Sequence, residues 1–174
     1  EQALLADPWV SRARITRKLP GTIRIEVSER KAAALVAISE TYLATAEGQV
    51  FKKLEAGDPM DLPIVSGIDV AQFYDDKSLV EATVRRALAL AGEYAEAELA
   101  PKYPLQEVHV DSNGTMSLRI GKQALTLMLG KPPYRRKLEQ ASVVVHEAER
   151  RGAKMDTVLL DNDSRQDRVI VRLR

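Results

Sequence analysis

The sequence predicts an α+β fold built on an antiparallel sheet. Stretches that alternate apolar with polar residues follow one another in runs, whereas only two long segments, beginning at Ser78 and at Pro132, repeat apolar residues at helical spacing. Strands that occur in runs, with few helices between them, are typical of this class. With 174 residues, 45% of them hydrophobic, the chain is long enough for one domain or two small ones.

The N-terminal part predicts the end of a helix and then a β-hairpin. An Asp-Pro pair ends the helical character of residues 1–6, because the residue before a proline is driven out of the helical region. Two arms, residues 9–19 and 22–30, alternate aliphatic with charged side chains, and a Pro-Gly pair supplies the turn between them. The hairpin therefore has one aliphatic face and one charged face.

Short strands and a loop are predicted next. Residues 34–38, 42–46 and 49–52 are short runs that favour strands, and residues 62–65 are a further one. The stretch between the last two runs contains glycine and proline and is predicted to be a loop.

The first long helix is predicted to begin at Ser78, which fits the S-x-x-E capping box together with Glu81. Its apolar residues recur every three or four positions, so that one stripe faces a core: Val80, Val84, Ala87, Ala91 and Tyr94. The helix is expected to end before Pro101.

A second hairpin and a second helix follow. Asn113-Gly114 predicts a two-residue turn with positive φ at both positions, and a third strand is predicted over residues 125–129. Pro132 and Pro133 are then expected to open the second long helix, and Gly152 is expected to cap its C-terminal end. Two strands, residues 157–160 and 168–173, complete the predicted order.

The sequence offers few groups for catalysis. The absence of cysteine excludes disulfides, thiolate zinc sites and thiol nucleophiles. His109 and His146 are the only histidines, and neither lies in a recognisable motif. Glu107, His109 and Asp111 share one face of a predicted strand and could in principle hold a metal, but the polar, solvated face of an amphipathic strand is the favoured explanation. A small metal-dependent hydrolase therefore stays open as an alternative.

Charge is unevenly distributed along the chain, although the net charge is only +1. Residues 12–31 hold seven basic and two acidic side chains, residues 47–111 hold 6 and 13, and residues 119–174 hold 13 and 7. The basic stripe of the first hairpin suits a polyanion such as an acidic membrane surface, or is simply a solvated face: Arg12, Arg14, Lys18 and Arg24. The pI of 8.2 and the lack of interleaved aromatic residues argue against nucleic acid.

Several short strings gain specificity from their order along the chain. The first are Asp-Pro-Trp-Val, Arg-Lys-Leu-Pro-Gly-Thr-Ile-Arg-Ile and Val-Ser-Glu-Arg, at residues 7–10, 17–25 and 27–30. They are followed by Ala-Glu-Gly-Gln-Val-Phe, Leu-Pro-Ile-Val-Ser-Gly, Leu-Met-Leu-Gly and Lys-Leu, at residues 46–51, 62–67, 127–130 and 137–138. In this order the strings resemble the FtsQ/DivIB family of bacterial cell-division proteins, from the end of its POTRA domain onward.

The chain departs from the family pattern in three respects. Residues 31–33 are Lys-Ala-Ala, where the family usually has a proline. The strand that commonly contains Asp-Leu-Arg and an aromatic residue ends here in Leu159, Leu160, Asp161 and Asn162, so contacts through that arginine and aromatic are not carried over. The first strand and helix of a POTRA domain are also missing.

The resemblance implies two domains, the C-terminal part of a POTRA domain in residues 1–31 and a β domain in residues 32–174. It implies a non-catalytic divisome scaffold with no cofactor and no metal, which binds membrane-anchored coiled-coil partners of the FtsB/DivIC and FtsL type during septum formation. The full-length protein is expected to be anchored in the cell inner membrane by one N-terminal helix absent here, with this part periplasmic and enriched at the septum. A start at Glu1 rather than Met is expected of an excised or processed part.

The terminal strand is the predicted partner-binding site. No later strand follows it to cover its edge, and a free edge exposes backbone groups to which a partner segment can add. The predicted contact residues are Arg168, Val169, Ile170, Val171, Arg172 and Leu173. An interior position in the sheet is the alternative for this strand. For the chain as a whole, a POTRA-type polypeptide-binding module of outer-membrane assembly is a further alternative, although such systems usually carry POTRA repeats or a barrel.

Overall fold

A computed structural model of the chain describes residues 1–162 and 169–173. Its helices are α1 (Gln2–Leu5), α2 (Val70–Asp75), α3 (Lys77–Ala95) and α4 (Arg135–Arg150). Its strands are β1 (Val10–Lys18), β2 (Thr22–Glu29), β3 (Ala34–Ala37), β4 (Thr41–Ala44), β5 (Val50–Lys53), β6 (Ile64–Ser66), β7 (Leu105–Val110), β8 (Met116–Ile120), β9 (Leu125–Gly130), β10 (Met155–Leu159) and β11 (Ile170–Leu173). The predicted α+β class is confirmed. No helix in the described ranges is long and apolar enough to cross a membrane.

Nine strands form one sheet in the order β11-β10-β9-β8-β7-β6-β3-β4-β5. Most neighbours are antiparallel, as predicted, but β10 with β9, β3 with β6, and β6 with β7 are parallel. Two of these parallel pairs flank helices, because α4 connects β9 to β10 and the α2–α3 segment connects β6 to β7. The sheet is therefore dominated by antiparallel pairs, as predicted, and contains three parallel pairs that the sequence analysis did not predict.

The main core lies between the two long helices and one face of the nine-stranded sheet. Val84 and Leu90 of α3 and Leu138 and Val145 of α4 belong to one buried cluster with alternate residues of β7, β8 and β9. Four of the five residues predicted for the apolar stripe of α3 are buried. The fifth, Ala91, is only partly buried, and Leu90, which was not predicted, is fully buried. Both helices thus cover the same face of the sheet.

The start of α3 differs from the prediction. Asp76, not Ser78, is its N-cap, and the Asp76 carboxylate accepts a hydrogen bond of 2.9 Å from the Leu79 amide. The sequence analysis did not predict the short helix α2, which Asp69 caps and which ends just before Asp76. Asp76 therefore lies between the two helices, at the start of α3. Ser78 consequently lies inside the first turn, and its capping box with Glu81 was wrong.

The loop between β7 and β8 also differs from the prediction. Gly114 has a φ of 74°, but Asn113 does not have a positive φ, so the two-residue turn was wrong. Asp111 organises a longer loop, since its side chain accepts hydrogen bonds of 2.9 Å from the amides of Asn113 and Thr115. The Thr115 hydroxyl also donates to Asp111 at 2.6 Å, and it holds the pKa of that carboxyl below its usual value.

The second long helix begins later than predicted and ends as predicted. Tyr134 is the N-cap of α4, so the two preceding prolines lie before the helix and not in its first turn. At the other end Gly152 has a φ of 66° and donates to the Glu149 carbonyl, while Ala153 donates to the Ala148 carbonyl, both at 2.9 Å. These two bonds form a Schellman motif, for which glycine is suited.

β1 and β2 form a separate two-stranded sheet next to the N-terminal helix α1. Its register confirms the predicted aliphatic face, since Ala13 pairs with Val27, and Ile15 with Ile25. Solvent nevertheless reaches much of this face, with Ile15, Ile23, Ile25 and Val27 exposed to 40%, 64%, 56% and 46%. The predicted domain boundary after residue 31 stays a prediction.

The base of the β1–β2 hairpin contacts the far end of the large sheet. The ring of Trp9 meets that of Phe51 on β5 edge-on, with centroids 5.3 Å apart. Arg30 donates to the carbonyls of Pro8 and Val10, both at 2.6 Å, and its guanidinium lies 5.8 Å from the centroid of Phe51. Residues of three family-like strings therefore meet at one contact.

Two glycines allow backbone segments to approach closely. Gly48 has a φ of 90°, and a β-carbon there would lie 2.1 Å from the Glu81 carbonyl oxygen of α3. Gly67 has a φ of 87°, and a β-carbon there would lie 1.9 Å from the Val110 carbonyl oxygen. The neighbours at both sites are backbone atoms, which cannot turn away as a side chain can.

Replacing either glycine by alanine should destabilise the protein by at least about 2 kcal/mol, because the positive φ alone costs about 1–2 kcal/mol and the overlap adds to it. Gly92→Ala is the matched control. Gly92 lies in α3 with no atom near its β-position, so alanine there should stabilise the helix by about 0.5–1 kcal/mol. Urea unfolding of the three variants measures these changes. Wild-type stability of Gly67→Ala would contradict the close approach.

Candidate partner-binding edge

β11 lies at one end of the nine-stranded sheet and pairs antiparallel with β10. Within residues 1–162 and 169–173 no other strand pairs with β11. The strand is shorter than predicted, beginning at Ile170, with Val169 just before it. Arg168 lies outside the described residues. The structure thus brings Ile170 to Leu173 together on a terminal strand, and their role as contact residues stays a prediction.

The side chains of β11 divide between the core and solvent. Val171 is partly buried against the main core and pairs with the fully buried Val158. Ile170 and Leu173 are 58% and 59% exposed. Arg172 is exposed and makes no ion pair with any described residue. Among the side chains of the strand, Val171 therefore packs against the core, whereas Ile170, Arg172 and Leu173 are exposed to solvent.

A terminal strand of this kind can hydrogen-bond a further strand. In an antiparallel pair, alternate residues direct their N–H and C=O groups to the neighbour, and the residues between direct theirs away from it. Those outward groups of β11 are available to an added segment, which would extend the sheet by one strand. Main-chain bonds would then supply affinity, while Ile170, Arg172 and Leu173 would supply selectivity.

β5, at the opposite end of the sheet, is a second terminal strand that the sequence analysis did not single out as an edge. A bulge interrupts its pairing with β4, and its two lysines are engaged in ion pairs. Lys52 lies 2.9 Å from Glu55 and 2.5 Å from Asp58, and Lys53 lies 2.5 Å from Glu40. β5 and β11 are both four residues long and both have a bulge in their pairing, so the ion pairs of the two lysines are what distinguish the β5 edge. Arg172 of β11 makes no ion pair with a described residue, so β11 is the edge with a cation available to a partner.

The helix α4 determines where the last two strands of the chain, β10 and β11, lie. Lys137, in its first turn, is buried, and its ammonium donates to the carbonyls of Leu129 and Lys131, both at 2.8 Å. Those carbonyls belong to the end of β9 and the residue after it. The charge-assisted bonds thus fix α4 to the end of β9, from which it crosses to start β10 parallel to β9.

A second polar contact joins the far end of α4 to the segment after α3. Glu149 accepts hydrogen bonds from the Tyr103 hydroxyl and, at 2.6 Å, from the Lys102 ammonium, which hold the pKa of Glu149 below its usual value. Partial burial and the neighbouring Glu149 raise the pKa of Tyr103 to about 12. The Tyr94 hydroxyl in turn donates to the Tyr103 carbonyl at 2.6 Å. Both ends of α4 are therefore tied to neighbouring segments.

Of the residues considered for catalysis, His146 is exposed on α4, whereas Glu107 and His109 lie on the face of the sheet opposite the helices. The Ser66 hydroxyl contacts Glu107 and also lies 2.9 Å from Nδ1 of His109. Arg119 donates to the other oxygen of Glu107 at 2.7 Å, and Asp111 is occupied by its own loop. The structure therefore does not bring together the trio considered as an alternative metal site, and no group of three His, Asp or Glu suited to a metal occurs in the described part of the chain.

Comparison with known proteins shows which proteins the chain is similar to. Residues 1–30 match the family described as POTRA domain, FtsQ-type. The chain is 30% identical over 171 residues to the cell division protein FtsQ of Anaeromyxobacter sp. (strain K), covering 98% of this chain and 58% of that protein. It is 30% identical over 173 residues to that of Myxococcus fulvus (strain ATCC BAA-855 / HW-1), covering 99% and 60%. The chain is thus similar over nearly its whole length to cell division proteins named FtsQ, and its first 30 residues match an FtsQ-type POTRA domain.

The resemblance predicted from the short strings is therefore confirmed. A third relative, the FtsQ of Geotalea daltonii (strain DSM 22248 / JCM 15807 / FRC-32), is 26% identical over 166 residues, which cover 95% of this chain and 59% of the relative. The chain spans about three-fifths of the length of these FtsQ proteins. The family strings include both glycines that permit close backbone approach, Gly48 and Gly67.

Replacing Lys137 by methionine should lower the free energy of unfolding by about 1–3 kcal/mol, because the aliphatic stem is kept but two carbonyls lose their ammonium donor. Lys122→Met, on an exposed turn residue, is the matched control and should change stability by less than about 0.5 kcal/mol. Urea unfolding compares the two. Equal stability of both variants would show that the ammonium does not hold α4 to β9.

Proposed function

We propose that this FtsQ relative is a non-catalytic divisome scaffold that captures FtsB/DivIC-type and FtsL-type membrane-anchored partners by strand addition at β11. The observation that carries the proposal is the terminal position of β11 together with its outward Ile170, Arg172 and Leu173. The edge is long enough for four residues of pairing. Similarity to FtsQ proteins supports a divisome role, and the edge geometry supports the mode of capture.

The charge of the strand favours an acidic partner segment. Arg172 is unpaired within the described ranges, and the sequence places Arg168 and Arg174 on either side of the strand. Positive side chains on a free edge oppose pairing between two copies of this chain, because like charges opposite each other repel. An extended segment with carboxylates and alternating apolar residues would satisfy both the arginine and the exposed aliphatic side chains.

We further propose that the full-length protein has one N-terminal transmembrane helix in the cell inner membrane, with this part in the periplasm at the septum. The exposed aliphatic face of the β1–β2 hairpin supports a longer POTRA domain, in which preceding residues cover that face. The upstream sequence tests this: it should hold an apolar span of about 20 residues, followed by the missing strand and helix.

Strand addition predicts that proline at an outward-facing position of β11 abolishes capture of the FtsB/DivIC-type partner without unfolding the protein, since proline has no N–H to donate. Ile170→Pro and Val171→Pro should be compared, because one of two adjacent amides faces outward. Ile170→Ala is the control: it shortens the side chain but keeps the amide. Pull-down of the partner beside a melting curve measures both properties.

The expected result is a folded proline variant whose partner binding is lost, while Ile170→Ala retains most of it. Retained capture by both proline variants, each with a wild-type melting curve, would contradict docking at β11. If partner binding is lost only in a proline variant that also melts at a lower temperature than the wild type, unfolding could explain the loss, and Arg172→Glu then tests docking at β11. This exposed substitution leaves the fold intact, and charge reversal there should weaken binding of an acidic segment.

The scaffold proposal also predicts that the protein neither needs nor binds a metal stoichiometrically, in contrast to a small metal-dependent hydrolase. Calorimetric titration with zinc and with manganese should give no one-to-one isotherm, because Ser66, Glu107 and His109 form a hydrogen-bonded row and not a metal site. A stoichiometric isotherm that His109→Ala abolishes would support the hydrolase instead.

A further inference from the structure

The β1–β2 hairpin sorts its side chains into two chemically different faces. On one face the register pairs Arg12 with Ser28, Arg14 with Glu26, Thr16 with Arg24, and Lys18 with Thr22. That face thus holds four cations and one carboxylate. All eight residues are exposed. The pattern yields a flat cationic surface, which we call the basic face, about 20 Å long from Arg12 to Lys18.

The cations of the basic face are largely free of intramolecular partners. Arg24 and Glu26 approach to 3.7 Å, with both side chains more than half exposed, so this pair contributes little. No ion pair within the described residues involves Arg12, Arg14 or Lys18. Glu1 lies beside Arg12 and Arg14 in a shallow depression. Counting this second carboxylate, the surface still keeps a net charge of +2.

The shape of the basic face selects the kind of anion. Side chains two residues apart on a strand lie about 7 Å apart, and cross-strand neighbours lie about 5 Å apart, so the charge is spread evenly along a flat ribbon. Nucleic-acid surfaces of this kind place aromatic residues among the cations for base stacking, and here none is present. A flat, evenly charged ribbon fits a flat, diffuse array of anions, such as lipid headgroups.

The tip of the hairpin supplies a second, independent observation. Leu19 is 83% exposed in the turn, directly after Lys18. An aliphatic side chain in water next to a cationic surface is the arrangement with which proteins lie on a bilayer: the cations contact headgroups and the aliphatic group enters the interface. A surface for an acidic protein segment would not need an exposed leucine at the turn.

We propose that the β1–β2 hairpin is a membrane-contact element, which binds an anionic lipid surface through Arg12, Arg14, Lys18 and Arg24 and inserts Leu19 at the interface. The proposal does not depend on partner capture at β11, because the two surfaces belong to different sheets. Such contact would orient the hairpin against the bilayer and limit the directions in which β11 faces partners.

Vesicle co-sedimentation of the 174-residue protein tests the proposal. The protein should bind vesicles of equal parts phosphatidylglycerol and phosphatidylcholine, and should bind pure phosphatidylcholine vesicles far less. The double variant Arg14→Gln, Arg24→Gln should lose roughly 25-fold in binding to the anionic vesicles, about fivefold for each cation removed at the surface. Raising salt from about 0.1 M to about 1 M should abolish binding, since the screening length falls from about 10 Å to about 3 Å.

Two further variants make the test specific. Arg85→Gln, Lys122→Gln removes the same charge from exposed residues outside the hairpin and should bind the anionic vesicles like the wild type. Leu19→Ser should weaken binding severalfold while keeping the preference for anionic lipid. Melting curves confirm that each variant is folded, which is expected because all five side chains are exposed.

Three results would overturn the proposal. Equal binding to neutral and anionic vesicles would mean that the exposed aliphatic face, not the basic face, contacts lipid. Equal losses in the two double variants would mean that overall charge matters and the hairpin does not. Absence of vesicle binding, together with salt-sensitive binding of poly-glutamate by the wild type, would identify the occupant of the basic face as an acidic polypeptide.

Discussion

The position of the C-terminal strands depends on how α4 is held against the end of β9. The buried Lys137 ammonium donates to two carbonyls there, and this contact fixes the point from which the helix crosses the sheet. Because of that crossing β10 runs parallel to β9, and β11 then turns back along β10 and becomes the terminal strand. A buried ammonium needs well-placed acceptors in place of the water it has lost, so small shifts of α4 would destabilise the folded protein. The candidate docking edge is thus a consequence of packing far from it.

The two ends of the large sheet have different chemistry. At the β5 end, lysines are neutralised by nearby carboxylates, and the Trp9–Phe51 contact brings the β1–β2 hairpin against the strand. At the β11 end, Arg172 is exposed beside Ile170 and Leu173. At the β5 end the lysines are therefore paired within the chain, whereas at the β11 end Arg172 has no ion-pair partner among the described residues. The basic face of the hairpin adds a third surface, on a different sheet and of a different charge pattern.

The short strings that resemble the FtsQ/DivIB family acquire physical roles in the structure. Trp9, Arg30 and Phe51 come from three separate strings and meet where the hairpin joins the large sheet. Gly48 and Gly67, from two strings, lie where a β-carbon would overlap a backbone carbonyl. Lys137 belongs to another string and ties α4 to β9. Five of the seven strings therefore contribute a residue to a junction between elements, where residue choice is restricted by geometry and not by burial alone.

Local pattern in the sequence determined the elements and their faces. The period of two predicted the β1–β2 hairpin, the period of three to four predicted α3 and α4, and Gly152 predicted the end of α4, because each signal is carried by residues close together in the chain. The resemblance to the family could likewise be recognised from the order of strings. Only the tertiary structure decided which strands are parallel, that Asp76 and not Ser78 caps α3, that the aliphatic hairpin face is uncovered, and that β11 and β5 are the ends of the sheet. Those features depend on contacts between distant residues, whose pairing no local period encodes.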